Sequence, residues 1–377
     1  MGGKFHGDHR RPALADIKLP HETRNVPFRF VGHWQSRMTA SMNSPVELVG
    51  RRFCIAPMLD WTDRFYRRFA RELSRHAWLY TEMVNTGAIL HGDKMRHLRF
   101  DAVENPLALQ LGGSDPADLA KCAKIAEDWG YDEVNLNVGC PSERVQSGSF
   151  GACLMLEPTL VSDCVKAMRD ACSIDVTVKH RIGIDAIEDY GFLRNFVAEV
   201  HEAGCNTFIV HARNAILKGL SPKENREIPP LKYDYVYRLK QDLPQLEIIV
   251  NGGIADHAAA QAHLQHVDGV MVGREAYHNP WMLAEVDRDY YGGSWTPASR
   301  HAAMRAMRPF IEAELADGVP LRLMARHILG LFQGMPGARV WRRTLSDAKL
   351  LKNADWSLIE SALRELEPAA DADLTEV

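Results

Sequence analysis

Short apolar runs alternate with amphipathic stretches through most of the chain. Eight of the runs read as strands: Phe53–Met58, Leu79–Val84, Leu107–Leu111, Glu133–Val138, Val176–Lys179, Thr207–His211, Ile248–Asn251 and Gly269–Val272. Most are close to continuous in hydrophobicity, the pattern of parallel strands covered on both faces. Helical periodicity fills the intervals, for example at Asp115–Trp129, Pro158–Cys172 and Tyr190–Ala203. Eight strand–helix units in about 230 residues predict a TIM (β/α)8 barrel, with a doubly wound sheet as the weaker alternative. Beyond Pro297 the pattern changes. Met304, Met307, Phe310, Ile311 and Leu315 recur at helical spacing, as do Met324, Ile328, Leu331 and Phe332, and no strand pattern follows. The expected organisation is a barrel over residues 49–296, a small helical domain over 297–366 and an acidic tail over 367–377. Residues 1–48 read as a disordered basic leader, or as an arm that touches RNA. Met38 and Met42 stand as alternative starts.

Composition narrows the function classes. The chain has 377 residues, with 45 basic against 49 acidic side chains and a net charge of −4. That excludes a histone-like cation but not a local basic face for phosphates. No apolar run reaches the ~18–20 residues of a membrane span, and the N-terminal stretch lacks the apolar region of a secretory signal. The seven cysteines are scattered without a C-x-x-C pair, so a disulfide framework is not expected and a cytoplasmic setting is. Histidines His180 and His211 lack metal-ligand spacing, and no metal is expected.

In a barrel of this kind the chemistry sits at the C-terminal strand ends. Gly252-Gly253 and Gly273-Arg274 follow the seventh and eighth predicted strands, where backbone N–H groups commonly bind a phosphate. Tight turns are the plain alternative, but two glycine signals in adjacent units with an arginine favour phosphate. Lys179 ends an apolar strand. A buried ammonium needs an anion, which leaves a Schiff-base lysine, a counter-charge to an anionic cofactor ring, or a salt bridge. His211 reads equally well as structural or functional, and Gln110 offers an amide to the edge of a heterocycle. Cys140, between Gly139 and Pro141, falls at the barrel mouth. A free thiol stays largely protonated at neutral pH and can act as a general acid. Cys54, Cys122, Cys164, Cys172 and Cys205 read as small buried hydrophobes, and Cys153 is a rival to Cys140.

Together these blocks carry a resemblance. The runs APMLDWTD, YTEM, ALQLGG, NLNVGCPS, VTVKHRIG, HAR and NGGI resemble the signatures of the tRNA-dihydrouridine synthases. LSPKENREIPPL (Leu220–Leu231) and GARVWRR (Gly337–Arg343) are similar to the branch that acts on uridines 20 and 20a. The match spans roughly residues 51 to 366. It implies an FMN-binding barrel that uses NADPH to reduce the C5–C6 bond of those uridines in the tRNA D-loop, with a helical tRNA-binding domain and no obligate protein partner. Hydride would pass from flavin N5 to C6, and Cys140 would protonate C5. The resemblance places Pro57, Met58, Leu59, Gln110, Lys179, His211, Asn251, Gly252, Gly253, Gly273 and Arg274 around FMN. It places Asn137, Lys223, Arg226, Arg339 and Arg342 against tRNA. Another FMN barrel, a class I aldolase acting through Lys179, and an inactive barrel that binds RNA are the alternatives. Arg339, Arg342 and Arg343 would share one face if the segment after Pro336 is helical, with Trp341 turned inward.

Overall fold

The structure, a computed structural model, describes residues 50–366 apart from Ser147. The expectations for the leader, the two alternative starts and the acidic tail lie outside the described residues. Nine parallel strands form one sheet: β1 (Phe53–Ile55), β2 (Leu79–Tyr80), β3 (Val84–Asn85), β4 (Leu107–Gly112), β5 (Glu133–Val138), β6 (Asp175–Arg181), β7 (Thr207–His211), β8 (Glu247–Asn251) and β9 (Gly269–Val272). Their order is β1-β9-β8-β7-β6-β5-β4-β2, with β3 also on β4. Backbone bonds from Trp78 N to Phe53 O (3.0 Å) and from Ile55 N to Trp78 O (2.8 Å) carry the ring on from β1 toward β2. The fold is the expected TIM barrel.

Two strand expectations are corrected in detail. The run Leu79–Val84 is two short fragments, β2 and β3, both paired to β4. The run Phe53–Met58 keeps ladder geometry only to Ile55, since Pro57 lacks an N–H and the chain then turns at Asp60 with φ +64°. Helix boundaries follow ordinary capping. Asp115 accepts from Asp118 N at the start of Pro116–Trp129, Gly130 ends it in the left-handed region, and Asp189 caps Tyr190–Glu202.

The C-terminal region is helical throughout the described residues. Its first apolar run is split by Pro309 into Arg300–Ala306 and Arg308–Ala316. The helices Arg322–Ile328, Ala338–Ser346 and Trp356–Arg364 follow. Helix Ala338–Ser346 begins two residues after Pro336, with Gly337 at φ +81° before it. Trp341 is fully buried and donates from Nε1 to Ile328 O at 3.0 Å. A polar joint fastens this region to the barrel. Asp63 caps helix Arg64–Arg71 and also accepts from Arg326 Nη2 (2.8 Å) and from the buried His327 Nε2 (3.0 Å). Arg64 and Glu314 make a two-pronged ion pair beside it.

Candidate active site

Alternation along a strand sends every second side chain to the same face. On β5 this aligns Glu133, Asn135 and Asn137, and on β6 it aligns Asp175, Thr177, Lys179 and Arg181. Register then decides the neighbours: Asn137 lies beside Lys179, and His211 beside Asn251. Lys179 Nζ donates to Asn251 Oδ1 at 3.1 Å, while Asn251 Nδ2 donates to Met271 O at 2.8 Å. The carbonyl partner fixes which way the Asn251 amide points. Lys179 makes no salt bridge to a carboxylate among the described residues. Burial first, and the neighbouring Arg181 second, bring its ammonium down to about 7. His211 is buried, whereas Lys179 is half-buried, and desolvation together with Arg181, Lys179, Arg213 and Arg226 holds its imidazole neutral, well below the ordinary range. The mouth therefore gathers Lys179, Arg181 and Arg213, none of which has a carboxylate partner among the described residues.

Desolvation of Lys179 has a measurable consequence. A lysine whose folded pKa lies below its unfolded value destabilises the fold most fully below about pH 7, and less as pH rises toward the unfolded value. Lys179→Met is expected to raise the melting temperature of the cofactor-free protein at pH 6. That gain should shrink steadily between pH 7 and pH 10. A melting temperature unchanged at pH 6 would show that the ammonium is not desolvated.

The turn after β8 is built for close approach. Gly252 and Gly253 have φ of +115° and +72°. A Cβ on Gly252 would stand 2.7 Å from His211 Cδ2, and one on Gly253 would stand 2.7 Å from Leu231 Cδ1. Tyr233 braces the turn by donating to Gly252 O at 2.6 Å. Gly273 differs: a Cβ there would meet nothing nearer than Ala56 Cβ at 3.7 Å and Met58 Sδ at 3.8 Å, so space opens between the ends of β1 and β9. Arg274 is half exposed and pairs with Glu227 at 2.7 Å. An exposed pair of this kind is weak and can yield its guanidinium to a stronger anion. Pro57 and Met58 are half-buried at the same rim, whereas Leu59 is 68% exposed and makes no part of the present lining.

Cys140 is held by its backbone. Asn137 Oδ1 accepts the N–H of Gly139 (3.1 Å) and of Cys140 (3.0 Å), and Cys140 O accepts from Ala152 N at 2.9 Å. Gly151, at φ +79°, makes that approach feasible, because a Cβ would lie 2.6 Å from Cys140 O. The Cys140 thiol is half-buried and, among the described residues, donates to Ser142 Oγ at 3.5 Å. Its rival, Cys153, donates its thiol to Phe150 O at 3.1 Å, and burial pushes its pKa up. Of the two, Cys140 has the less committed sulfur.

Sequence reasoning missed Arg181. It is 3% exposed and donates to Gly139 O (3.2 Å), Asn214 O (3.0 Å) and Asn225 O (2.9 Å). This one guanidinium ties the Cys140 turn to the loop after β7 and to the Leu220–Leu231 segment. The available signal was its spacing of two from Lys179 on the same strand, which places both on one face. Buried Asn225 anchors that segment by donating to Ile216 O at 2.8 Å, leaving Lys223 and Arg226 exposed above it. On helix Ala338–Ser346, Arg339, Arg342 and Arg343 are exposed and make no ion pair among the described residues.

A parallel barrel that carries a thiol, fixed amides, arginines and a glycine turn at its C-terminal rim has the layout of a barrel enzyme. The chain belongs to the dihydrouridine synthase (Dus) family, whose model matches residues 54–367. It is 60% identical over 304 residues to the tRNA-dihydrouridine(20/20a) synthase of Pseudomonas aeruginosa, covering 81% of this chain and 91% of that one. The proteins of the same name from Escherichia coli K12 and Shewanella oneidensis are 61% and 59% identical, over 83% and 84% of this chain and 91% and 94% of theirs. No described helix is long and apolar enough to cross a bilayer.

Proposed function

We propose that this protein uses FMN and NADPH to reduce the C5–C6 bond of uridines 20 and 20a in the tRNA D-loop, acting on tRNA in the cytoplasm. The observation that carries the reading is the placement of Cys140 and Asn137 beside Lys179, across the mouth from the Gly252-Gly253 turn. The names borne by relatives of about 60% identity supply the substrate.

The residues present fit a flavin mononucleotide. Lys179 is a desolvated cation lacking a carboxylate, which suits the polar edge of an isoalloxazine. Gly252, Gly253, Gly273 and Arg274 offer a cradle and a cation for the phosphate, with Asn251 fixing the Lys179 head. Pro57 and Met58, just past β1, would flank the ring, the exposed Leu59 would have to fold over to join them, and neutral His211 adds a hydrogen-bonding group. Gln110 lies deeper, 1% exposed, with one amide N–H still unspent. When bound, FMN supplies the hydride to uracil C6, drawing its electrons from NADPH.

The chain's own residues do the rest. Cys140 donates its proton to C5 as negative charge builds there and at O4. Asn137 has both lone pairs and one N–H engaged, so a single N–H remains for the base. A uridine inside folded tRNA must leave its stack to reach that N–H. Lys223 and Arg226, exposed on the Leu220–Leu231 loop that Arg181 ties to the Cys140 turn, and Arg339 and Arg342 on the helical domain, residues 297–366, supply phosphate contacts.

Two measurements test this. Purified protein should be yellow, and tRNA from a strain lacking the gene should gain dihydrouridine at positions 20 and 20a on incubation with protein and NADPH. Protein that cannot be reconstituted with FMN, or tRNA left unmodified, would overturn the reading. Within the cradle, Gly252→Ala should weaken FMN at least tenfold, because the new methyl meets His211 and the φ of +115° strains any other residue. Arg274→Ala should also weaken FMN, and Cys140→Ala should not.

A further inference from the structure

Beneath the mouth the barrel is not filled by apolar side chains alone. A chain of buried polar groups climbs from its floor. Arg51 Nε donates to Glu133 Oε2 at 2.7 Å, and Thr177 Oγ1 donates to Glu133 Oε1. Asn135 Nδ2 donates to Thr177 Oγ1 at 2.7 Å, Gln110 Nε2 to Asn135 Oδ1 at 2.8 Å, and Asn137 Nδ2 to Gln110 Oε1 at 2.9 Å. The chain ends where Asn137 Oδ1 accepts the N–H groups of Gly139 and Cys140. Glu133, Asn135 and Thr177 are wholly buried.

The chain can run in only one direction. Backbone N–H groups cannot become acceptors, so Asn137 must present Oδ1 to Cys140 and Nδ2 to Gln110. That choice orients Gln110, then Asn135, and then the Thr177 hydroxyl, which must donate downward to a carboxylate oxygen. Glu133, paired with Arg51, is that acceptor. Both ends impose the same polarity, so the amide orientations do not depend on a free choice of oxygen and nitrogen.

We propose that Asn135, Thr177 and Glu133 are positioning residues for the reaction, locking the Gln110 and Asn137 amides and through them the Cys140 turn. The inference rests on the reading of Cys140 as the proton donor. Breaking the chain at Thr177 removes its lower anchor: the amides keep the orientation imposed from the Cys140 end, but Asn135, Gln110 and Asn137 are held less closely in place. The thiol is then held less closely against the base, and displacement of about 1 Å from a reacting geometry costs on the order of 10²-fold.

Thr177→Val removes the link at nearly constant volume, and Thr177→Ser keeps it. In the FMN-loaded protein, Thr177→Val should slow flavin reoxidation by tRNA about 10–100-fold. Bleaching by NADPH should stay within about twofold once FMN is saturating, FMN affinity should fall no more than severalfold through Gln110, and Thr177→Ser should match the parent. A second readout is independent of turnover: iodoacetamide should alkylate Cys140 severalfold faster in Thr177→Val than in the parent, with Cys140→Ala as the control for site assignment. Asn135→Ala breaks the same link from the other side and is read in the same way if Thr177→Val does not fold. Equal losses in both half-reactions, an unchanged alkylation rate, or a Thr177→Ser variant as impaired as Thr177→Val would overturn the proposal. Should Cys140→Ala itself form dihydrouridine at the parent rate, the proton-donor reading fails, and the alkylation arm still decides whether the polar chain governs the turn.

Discussion

Cys140→Ala should separate the two halves of the catalytic cycle. NADPH is expected to bleach the bound flavin at the parent rate, because that step needs no proton from the thiol. Reoxidation by tRNA should slow by about 10²–10⁴-fold, the usual worth of a positioned general acid. Two features of the site make the loss specific. The Cys140 backbone is anchored by Asn137, and by the Ala152 N–H approaching over Gly151, so removing the sulfur leaves the turn in place. Cys153 is poorly suited to substitute, since its thiol is committed to Phe150 O. Stopped-flow absorbance of each half-reaction checks the expectation, with dihydrouridine counted in the product tRNA. Parent-like product formation by the variant would move the proton donor to Cys153 or to water.

The barrel was legible because its strands are nearly continuous apolar runs, and because every rim residue follows such a run directly. Lys179, His211, Asn251 and Gly252-Gly253 could be located by counting to the end of a strand. What could not be read were contacts between residues far apart in the chain. Arg181 is an arginine in a strand until the fold places Gly139, Asn214 and Asn225 around it. Asn135 and Thr177 are unremarkable polar residues in β5 and β6 until register stacks them above Glu133. The second strand was misjudged for a related reason. Leu79–Val84 has the apolar content of one strand, but ladder pairing lapses between Tyr80 and Val84, where Thr81 Oγ1 turns to accept the N–H of Gln110 at 3.0 Å. In the helical region apolar spacing was correct, and the break at Met307 came from Pro309, whose ring and missing N–H end the preceding helix.

The pair Arg339→Ala and Arg342→Ala tests how tRNA is held. Both side chains stand on helix Ala338–Ser346 with Arg343, at spacings of three and four that put all three on one face. Trp341, buried against Phe332 with a ring separation of 4.9 Å, fixes the rotation of the helix and so the direction of that face. No acidic residue lies between Gly337 and Leu345, and none of the three arginines is paired among the described residues. Three such cations repel one another until an anion meets them, and the phosphate backbone of tRNA is the anion this reading provides. Each phosphate contact releases condensed counterions, so each one lost should flatten the dependence of log affinity on log salt by roughly 0.7–0.9. The double variant should therefore bind tRNA at least tenfold more weakly at low salt, and its slope should fall by about 1.5. FMN affinity and NADPH oxidation should remain unchanged, because the helix contributes nothing to the barrel rim. Titration with tRNA across a salt series decides the matter. If affinity and slope both persist, the tRNA is gripped elsewhere, and Lys223 and Arg226, exposed on the Leu220–Leu231 segment, become the residues to replace.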